Sequence, residues 1–163
     1  MNTARAIASF GGAGFLPKAP GTWGSLAALP VAWVLHGLGG FGLLLVATLA
    51  VTALGFWAIP KAVGDDHDPG WVVIDEVAGQ WIALWPLSLG LSMADVGAWV
   101  FPWPGWVGAF VLFRLFDIWK PGPVGWADRQ SGALGVMLDD LIAGAMAAVL
   151  VTLAAAISHG WLL

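Results

Sequence analysis

Long apolar stretches alternate with short polar segments along this chain, and the pattern predicts helices embedded in a membrane. The apolar stretches cover residues 22–36, 41–59, 71–91, 97–116 and 133–157. An α-helix needs about 20 apolar residues to cross a bilayer, so the first stretch is short and predicts a helix that either spans or re-enters. We therefore expect an all-α integral membrane bundle of about four or five spanning or re-entrant helices, forming one domain over residues 1–163.

Glycine and proline residues mark the expected helix boundaries. The pair Gly39-Gly40 predicts a turn between the first two helices, and Pro60 is expected to end the second helix. Pro102 and Pro104 are expected to kink the fourth helix or to delay its start. The last helix is rich in Ala and Gly, which favours close packing against a neighbour. The polar segments are interpreted as a folded lead-in and two loops, over residues 1–22, 61–70 and 117–132.

The composition supports a membrane protein and excludes several kinds of site. Hydrophobic residues make up 60% of the chain and charged residues 10%, and the mean hydropathy is +0.86, which is far from the composition of soluble domains. Only six Lys and Arg are present and the net charge is -4, so no nucleic-acid partner is expected. The chain has no Cys, which excludes disulfides, thiolate metal sites and a cysteine nucleophile.

The six cations predict how the helices are oriented. Five crossings that start in the cytoplasm would bring all six to one side of the membrane, and the positive-inside rule assigns that side to the cytoplasm. These cations are Arg5, Lys18, Lys61, Arg114, Lys120 and Arg129. The same orientation places every carboxylate except Asp95 on that side. We therefore expect the chemistry of the acids at the cytoplasmic membrane surface.

Most of the carboxylates occur in clusters, and two clusters lie at the edges of apolar helices. Asp75 and Glu76 lie in the first turns of the third predicted helix, and Asp139 and Asp140 lie two turns into the last one. Charged side chains are costly there, so they indicate a functional site. Carboxylate oxygens from two helices suit Mg²⁺. N-terminal helix capping is the alternative for Asp75, and it fits the later pair less well because helical turns precede that pair.

Two hydroxyl groups and three cations are candidates for binding a phosphate group. A turn that opens the first helix carries Thr22 and Ser25, which would face an anion at the helix N-terminus. Simple N-capping of the helix is the alternative. Lys18, Arg114 and Lys120 either hold phosphate oxygens or act only as topological anchors.

Three further residues are weaker candidates for the site. Asp117 lies between two cations in the sequence, so a buried salt bridge competes with a role in metal binding or proton transfer. The acidic loop that contains His67 and Asp68 is interpreted as solvated, and either residue could still reach the site.

Four motifs give the chain a resemblance to a known family. They are PKAPGTWGS at 17–25, HD at 67–68 leading into IDEVAG at 74–79, FRLFDIWKP at 113–121 and GVMLDDLIAG at 135–144. In this order and spacing, the chain resembles the phosphatidylglycerophosphatase A family of bacterial membrane lipid phosphatases. The resemblance implies Mg²⁺-dependent hydrolysis of the phospholipid phosphatidylglycerophosphate to phosphatidylglycerol. It also implies a multi-pass protein of the bacterial inner membrane, with its active site on the cytoplasmic side.

Metal-assisted attack by water fits these residues, because cysteine is absent and histidines are few. In this hypothesis Glu76, Asp139 and Asp140, supported by Asp75, bind one or two Mg²⁺ ions. Asp117 would orient the water or protonate the leaving alcohol. The phosphoryl oxygens would be held by Lys18, Arg114, Lys120 and the amides near Thr22.

Two other functional classes are compatible with acids in a membrane protein. A small cation-coupled or proton-coupled transporter holds its ions with such acids, although nearly all polar residues of this chain are expected on one side. A scaffold subunit whose acids bind a partner's cations is the third class. Release of phosphate from lipid phosphates would distinguish an enzyme from both.

Overall fold

The computed structural model describes residues 2–64, 69–94, 96–158 and 160. Within these residues the protein is all helical and contains no strand, which confirms the predicted all-α class. A short 3₁₀ turn at Ala13–Phe15 follows the first helix. The helices are α1 (Thr3–Ala8), α2 (Pro20–Val63), α3 (Ile74–Met93), α4 (Trp103–Trp119), α5 (Pro123–Asp128) and α6 (Gly132–Ser158).

Helix α2 is a helical hairpin. The glycine pair at 39–40 leaves the helical conformation, and its second member has a φ of 59°, which glycine adopts without steric penalty. The start of α3 contacts both arms of the hairpin, because Val73 lies against Gly24 and Ile74 lies against Gly55. The two arms are therefore antiparallel, and the predicted turn is confirmed.

The arms of α2 are longer than the sequence predicted. The first arm begins at Pro20 and continues to the glycine pair, so it extends beyond both ends of the predicted 22–36. The prediction that Pro60 ends the second arm is wrong, because the helix continues to Val63. Proline removes one backbone donor and its ring crowds the carbonyl of the preceding turn, but Pro60 lies in the last turn of α2 and the helix continues for only three residues beyond it.

Helix α4 begins and ends later than predicted. It starts at Trp103 with Pro104 in its first turn, a position that suits proline because no helical partner is lost there. The predicted delay is confirmed. The helix ends at Trp119, so Asp117 belongs to a helix and not to the loop predicted over 117–132. That loop also contains α5, which the sequence-based prediction missed.

Helices α3 and α6 pack in backbone contact. A Cβ atom added at Gly79 would lie 2.5 Å from the carbonyl oxygen of Asp140 and 2.6 Å from the ring of Phe113. A Cβ atom added at Gly144 would overlap the carbonyl group of Gly79. The close packing predicted for the last helix is confirmed. Because this contact lies beside Asp140, it brings the acids of α6 next to those of α3.

The lead-in before α2 packs against the start of α3. The backbone amide of Val73 donates a hydrogen bond to the carbonyl oxygen of Ala8 at 2.9 Å. The guanidinium carbon of Arg5 lies 4.9 Å from the ring centroid of Trp71 and 5.2 Å from that of Phe15. The lead-in is therefore folded, as predicted, and it fixes the segment that enters α3.

Helices α2 and α6 are long and apolar enough to cross a membrane. Only 33% of the apolar window in α2 and 22% of that in α6 are buried inside the protein, whereas the core helix of a soluble protein would be mostly buried. Large apolar side chains such as Val46, Leu49 and Val149 are exposed on these helices. These features indicate membrane association. The count of four or five spanning helices stays a prediction.

Candidate active site

A cavity of about 650 Å³ lies at the end of the bundle where α2, α3 and α6 begin and α4 ends. All five acids predicted to be catalytic line this cavity, together with two of the three cations predicted to bind phosphate. These residues are Asp75, Glu76, Asp117, Asp139, Asp140, Arg114 and Lys120. The motif at 17–25 lines the cavity as well, through Pro20 and Gly21. All four sequence motifs thus meet in one place, because the hairpin and the reversed direction of α4 bring their ends together.

The first group of acids comes from the start of α3 and from α6. Carboxylate oxygens of Asp75, Glu76 and Asp140 lie within 4.8 Å of one another. One oxygen of each carboxylate is buried and has no hydrogen-bond partner in the part of the chain that the structure describes. Buried polar atoms without partners are rare in native proteins, so three in one group indicate a ligand-binding site.

The second group of acids shares one member with the first. Carboxylate oxygens of Asp117, Asp139 and Asp140 also lie within 4.8 Å of one another. Asp139 accepts a hydrogen bond from the backbone amide of Asp140 at 3.0 Å. Asp140 therefore lies between two sets of possible metal ligands, one towards α3 and one towards α4.

These acids fit a hard divalent cation. Mg²⁺ prefers carboxylate oxygens and usually takes only one or two from the protein, with water and phosphate oxygens completing its shell. The unpartnered oxygens of Asp75, Glu76 and Asp140 are the donors that such an ion needs. Asp75 does not cap α3 through a side-chain hydrogen bond, because Val73 occupies the N-cap position and no side chain caps that end. Its place in the first turn does suit the helix dipole, but the dipole does not explain why a buried oxygen of Asp140 in α6 lies beside it. The geometry thus favours the metal-binding interpretation of these acids.

Lys120 links two parts of the site. It follows α4 with a φ of 50°, a left-handed conformation that is costly for a residue with a side chain and is often retained at functional sites. Its ammonium group donates hydrogen bonds to Asp128 and, at 2.8 Å, to Asp139. Burial lowers the pKa of Lys120, but these two carboxylates outweigh burial and raise the pKa well above its ordinary value. Lys120 therefore stays positively charged at the cavity wall.

Arg114 and Asp117 form an ion pair within α4. Arg114 Nη1 lies 2.5 Å from Asp117 Oδ2, and both side chains are mostly buried. The predicted salt bridge of Asp117 is thus present, and the same carboxylate also lies in the acidic group around Asp140; its role in metal binding or proton transfer stays a prediction. The Nε atom of Arg114 has no hydrogen-bond partner among the described residues, so the guanidinium retains a donor for a ligand.

Gly21 makes room for the carboxylate of Glu76. A Cβ atom added at Gly21 would overlap Glu76 Oε1 and would lie 3.2 Å from Arg114 Nη1. Only a residue without a side chain can occupy the first turn of α2 here without moving Glu76. The glycine of the motif at 17–25 thus shapes the acidic site directly, which the sequence interpretation did not include.

Comparison with known proteins decides the family. The model of the family described as phosphatidylglycerophosphatase A matches residues 6–155. The chain belongs to the phosphatidylglycerophosphatase A family. Its members are phosphoric monoester hydrolases, so the chain is an enzyme of that class. The resemblance predicted from the four motifs is confirmed, and the transporter and scaffold alternatives lose their support.

Three relatives illustrate the range of the family. Phosphatidylglycerophosphatase A of Escherichia coli (strain K12) is 36% identical over 154 residues, covering 92% of this chain and 80% of the relative. Phosphatidylglycerophosphatase A of Haemophilus influenzae is 34% identical over 154 residues, covering 93% of this chain and 88% of the relative. A Bacteroides thetaiotaomicron protein named "Putative phosphatidylinositol-3-phosphatase" is 39% identical over 150 residues, covering 88% of this chain and 87% of the relative. No solved structure matches the chain.

Three residues predicted to bind phosphate do not line the cavity. Lys18 is exposed and lies just before α2. Ser25 is fully buried and donates a hydrogen bond to the carbonyl oxygen of Gly21 at 2.9 Å. Thr22 directly follows Gly21, the last residue of this segment that lines the cavity. The N-cap position of α2 is occupied by Ala19. N-capping by Thr22 or Ser25 is therefore wrong, and phosphate binding by these three residues stays a prediction.

The sequence interpretation missed a polar segment of the cavity wall. This segment begins at the last residue of α5 and consists of Asp128, Arg129, Gln130 and Ser131. The available signal was the density of glycine, proline and charge in the segment 117–132, directly between two motifs. His67 and Asp68, which the sequence offered as further candidates, lie outside the described residues.

Proposed function

We propose that this enzyme hydrolyses the terminal phosphate of phosphatidylglycerophosphate, giving phosphatidylglycerol, in a Mg²⁺-dependent reaction. The observation that carries the proposal is the pair of acidic groups that share Asp140, with Arg114 and Lys120 on the same cavity wall. Acids that bind metal beside cations that bind phosphoryl oxygens are the combination that phosphate-ester hydrolysis by water requires.

Each group of side chains has a separate task in this reaction. Asp75, Glu76 and Asp140 would hold Mg²⁺, with Asp117 and Asp139 available on the other side of Asp140. When bound, the metal would activate a water molecule and offset the negative charge of the phosphate. Arg114 and Lys120 would hold the phosphoryl oxygens, since both are cationic donors at the cavity wall.

Water is the nucleophile in this proposal, because the metal that the acids would hold lowers the pKa of a bound water; the chain has no Cys to form a thiophosphate instead. The attacking oxygen forms a bond to phosphorus while the bond from phosphorus to the headgroup oxygen breaks. The departing oxygen then needs a proton. Asp117 lies in the acidic group and is held by Arg114, so it is placed to orient the water or to pass a proton to the leaving alcohol.

The lipid would reach the site without leaving the membrane. Ile118 lines the cavity and is also 71% exposed on the outer surface of α4, so the polar cavity is continuous with an apolar surface. The diacylglycerol part would stay beside such apolar side chains while the headgroup enters the cavity. The positive-inside rule supports a cytoplasmic cavity, because Arg114, Lys120 and Arg129 all line it.

The proposal predicts a strict metal requirement. Purified enzyme in mixed micelles should lose activity on phosphatidylglycerophosphate at least about 100-fold after chelation of divalent metal, since a catalytic metal is worth several kcal/mol of transition-state stabilisation. Added Mg²⁺ should restore the rate of phosphate release. Full activity in excess chelator would contradict the assignment of the acids as metal ligands.

The Bacteroides relative supplies a second candidate substrate. The name of that relative points to phosphatidylinositol 3-phosphate, another lipid whose headgroup carries a phosphate monoester. Assays of both lipids at equal surface concentration would decide between them. We expect the higher kcat/KM on phosphatidylglycerophosphate, because the matching family model and two of the three relatives are named for that activity. A higher kcat/KM on the inositol lipid would reverse the choice.

Reporter fusions test the orientation in the membrane. Fusions within residues 61–70 and 117–132 should report the cytoplasm, and fusions within 92–96 should report the opposite side. The reason is that the cavity cations, the end of α2 and the start of α3 lie at one end of the bundle, whereas the end of α3 lies at the other. If the two loops reported opposite sides, the proposed topology would be wrong.

A further inference from the structure

Three cations line the cavity, and one of them is not engaged by any acid that the structure describes. Arg114 and Lys120 are both paired with carboxylates. Arg129 lines the same cavity but forms no ion pair with any acid in the described parts of the chain. Its positive charge is therefore available to a ligand in the cavity.

Helix α5 holds Arg129 close to the phosphate-binding end of the cavity. Gly125 of α5 lies against the backbone of Lys120, because a Cβ atom added there would be 2.6 Å from the Lys120 carbonyl oxygen. The same added atom would be 3.7 Å from Arg129 Nη1, so the guanidinium lies beside α5 near Gly125. The preceding residue, Asp128, binds the ammonium group of Lys120. Arg129 is thus a neighbour of the proposed phosphoryl site without being part of it.

The proposed substrate has a second phosphate that needs a partner. In phosphatidylglycerophosphate, a phosphodiester joins the diacylglycerol to the headgroup glycerol, and the reaction leaves it intact. This phosphodiester carries a negative charge into a region beside apolar membrane. A cavity of about 650 Å³ is within the size range of pockets that enclose whole small ligands, roughly 300 to 1,000 Å³. It has room for the headgroup glycerol and a second phosphate as well as the reacting one.

The geometry points to Arg129 as the residue that binds the phosphodiester of the lipid substrate. This inference rests on the proposed function and adds a second anion subsite to it. A guanidinium group suits this task, because its fork of N–H donors matches two phosphate oxygens and it never loses its charge. The subsite would favour lipids with both a terminal monoester and an internal phosphodiester over lipids with the monoester alone.

The test compares phosphatidylglycerophosphate with phosphatidic acid, a lipid phosphate monoester that has no phosphodiester. In mixed micelles with saturating Mg²⁺, R129A should lower the ratio of the two kcat/KM values about 10- to 100-fold, the range expected for a lost charged hydrogen bond. The loss should fall mainly on KM for phosphatidylglycerophosphate. R129K keeps the charge without the fork and should give an intermediate ratio. K61A is the matched control, because Lys61 is an exposed cation outside the cavity and should leave the ratio unchanged.

A second measurement reports on the phosphodiester without any turnover of phosphatidic acid. Phosphatidylglycerol carries the phosphodiester but no monoester, so its inhibition constant should rise at least about tenfold in R129A. The inference would be overturned if R129A lowered kcat/KM equally on both lipids and left the inhibition constant of phosphatidylglycerol unchanged. It would also be overturned if R129A behaved like the wild type. If the wild-type enzyme hydrolysed neither lipid, the proposed function itself would fail.

Discussion

Replacing Asp140 with Asn is expected to reduce the turnover of phosphatidylglycerophosphate at least about 100-fold and to leave the protein folded. Asp140 is the carboxylate common to both acidic groups, so its loss removes a possible metal ligand from each. Even residues that only support metal ligands cost about 10- to 100-fold when changed. Asparagine has the same shape as aspartate, so the packing of the buried side chain against α3 should be preserved.

The measurement combines initial rates with thermal unfolding in detergent. Mg²⁺ should raise the unfolding temperature of the wild-type protein, because a ligand that binds only the folded state stabilises it. In D140N this shift should be lost or strongly reduced. Without Mg²⁺ the variant should be at least as stable as the wild type, because one negative charge has left a cluster of buried acids.

Two single-group variants provide the comparison for D140N. Glu76 belongs only to the group near α3 and Asp117 only to the group near α4. E76Q and D117N should therefore each retain more of the Mg²⁺-induced shift than D140N does. If D140N kept near-normal turnover and the full Mg²⁺-induced shift in unfolding temperature, Asp140 would not be a metal ligand. The two acidic groups would then share no metal ligand.

Much of the helical architecture could be predicted because a bilayer imposes a length on apolar segments. The positions of α3 and α6 follow from such segments, and the turn at the glycine pair 39–40 follows from backbone freedom. Helix α5 could not be predicted, because six residues are too few to show helical periodicity. Pro60 was misleading because a proline weakens a helix without always ending it, and α2 continues to Val63.

The acids of the site could be predicted because charge in an apolar chain is conspicuous. Asp75, Glu76, Asp139 and Asp140 all line the cavity, as their motifs indicated. The partners of the cations could not be predicted in the same way. Lys120 binds Asp128 and Asp139, and this choice depends on the path of the chain around α5. Glycines that leave space for a neighbouring atom were also missed. The sequence shows the glycine in a helical turn, but it does not show which atom occupies the space beside it.

Changing Gly21 to Ala is expected to lower activity about 100-fold with little change in stability. The added methyl group would overlap Glu76 Oε1, and a displacement of about 1 Å at a catalytic group can cost on the order of 100-fold in rate. The clashing atom is the end of a side chain, so the helix can accept the methyl group if the carboxylate moves. Alanine also favours a helix over glycine by about 0.5 to 1 kcal/mol.

Gly42 provides the matched control on the same helix, because an added Cβ atom there meets no atom within 4 Å. G42A should keep the wild-type rate and the wild-type Mg²⁺-induced rise in unfolding temperature, whereas G21A should lose much of both. Full activity in G21A would show that the position of Glu76 beside Gly21 is not needed for the reaction. A large loss of stability in G21A would instead mean that this glycine serves the packing of α2 against α3. A loss of rate and metal binding in a stable protein is the result that connects the glycine of the first motif to the acid of the second.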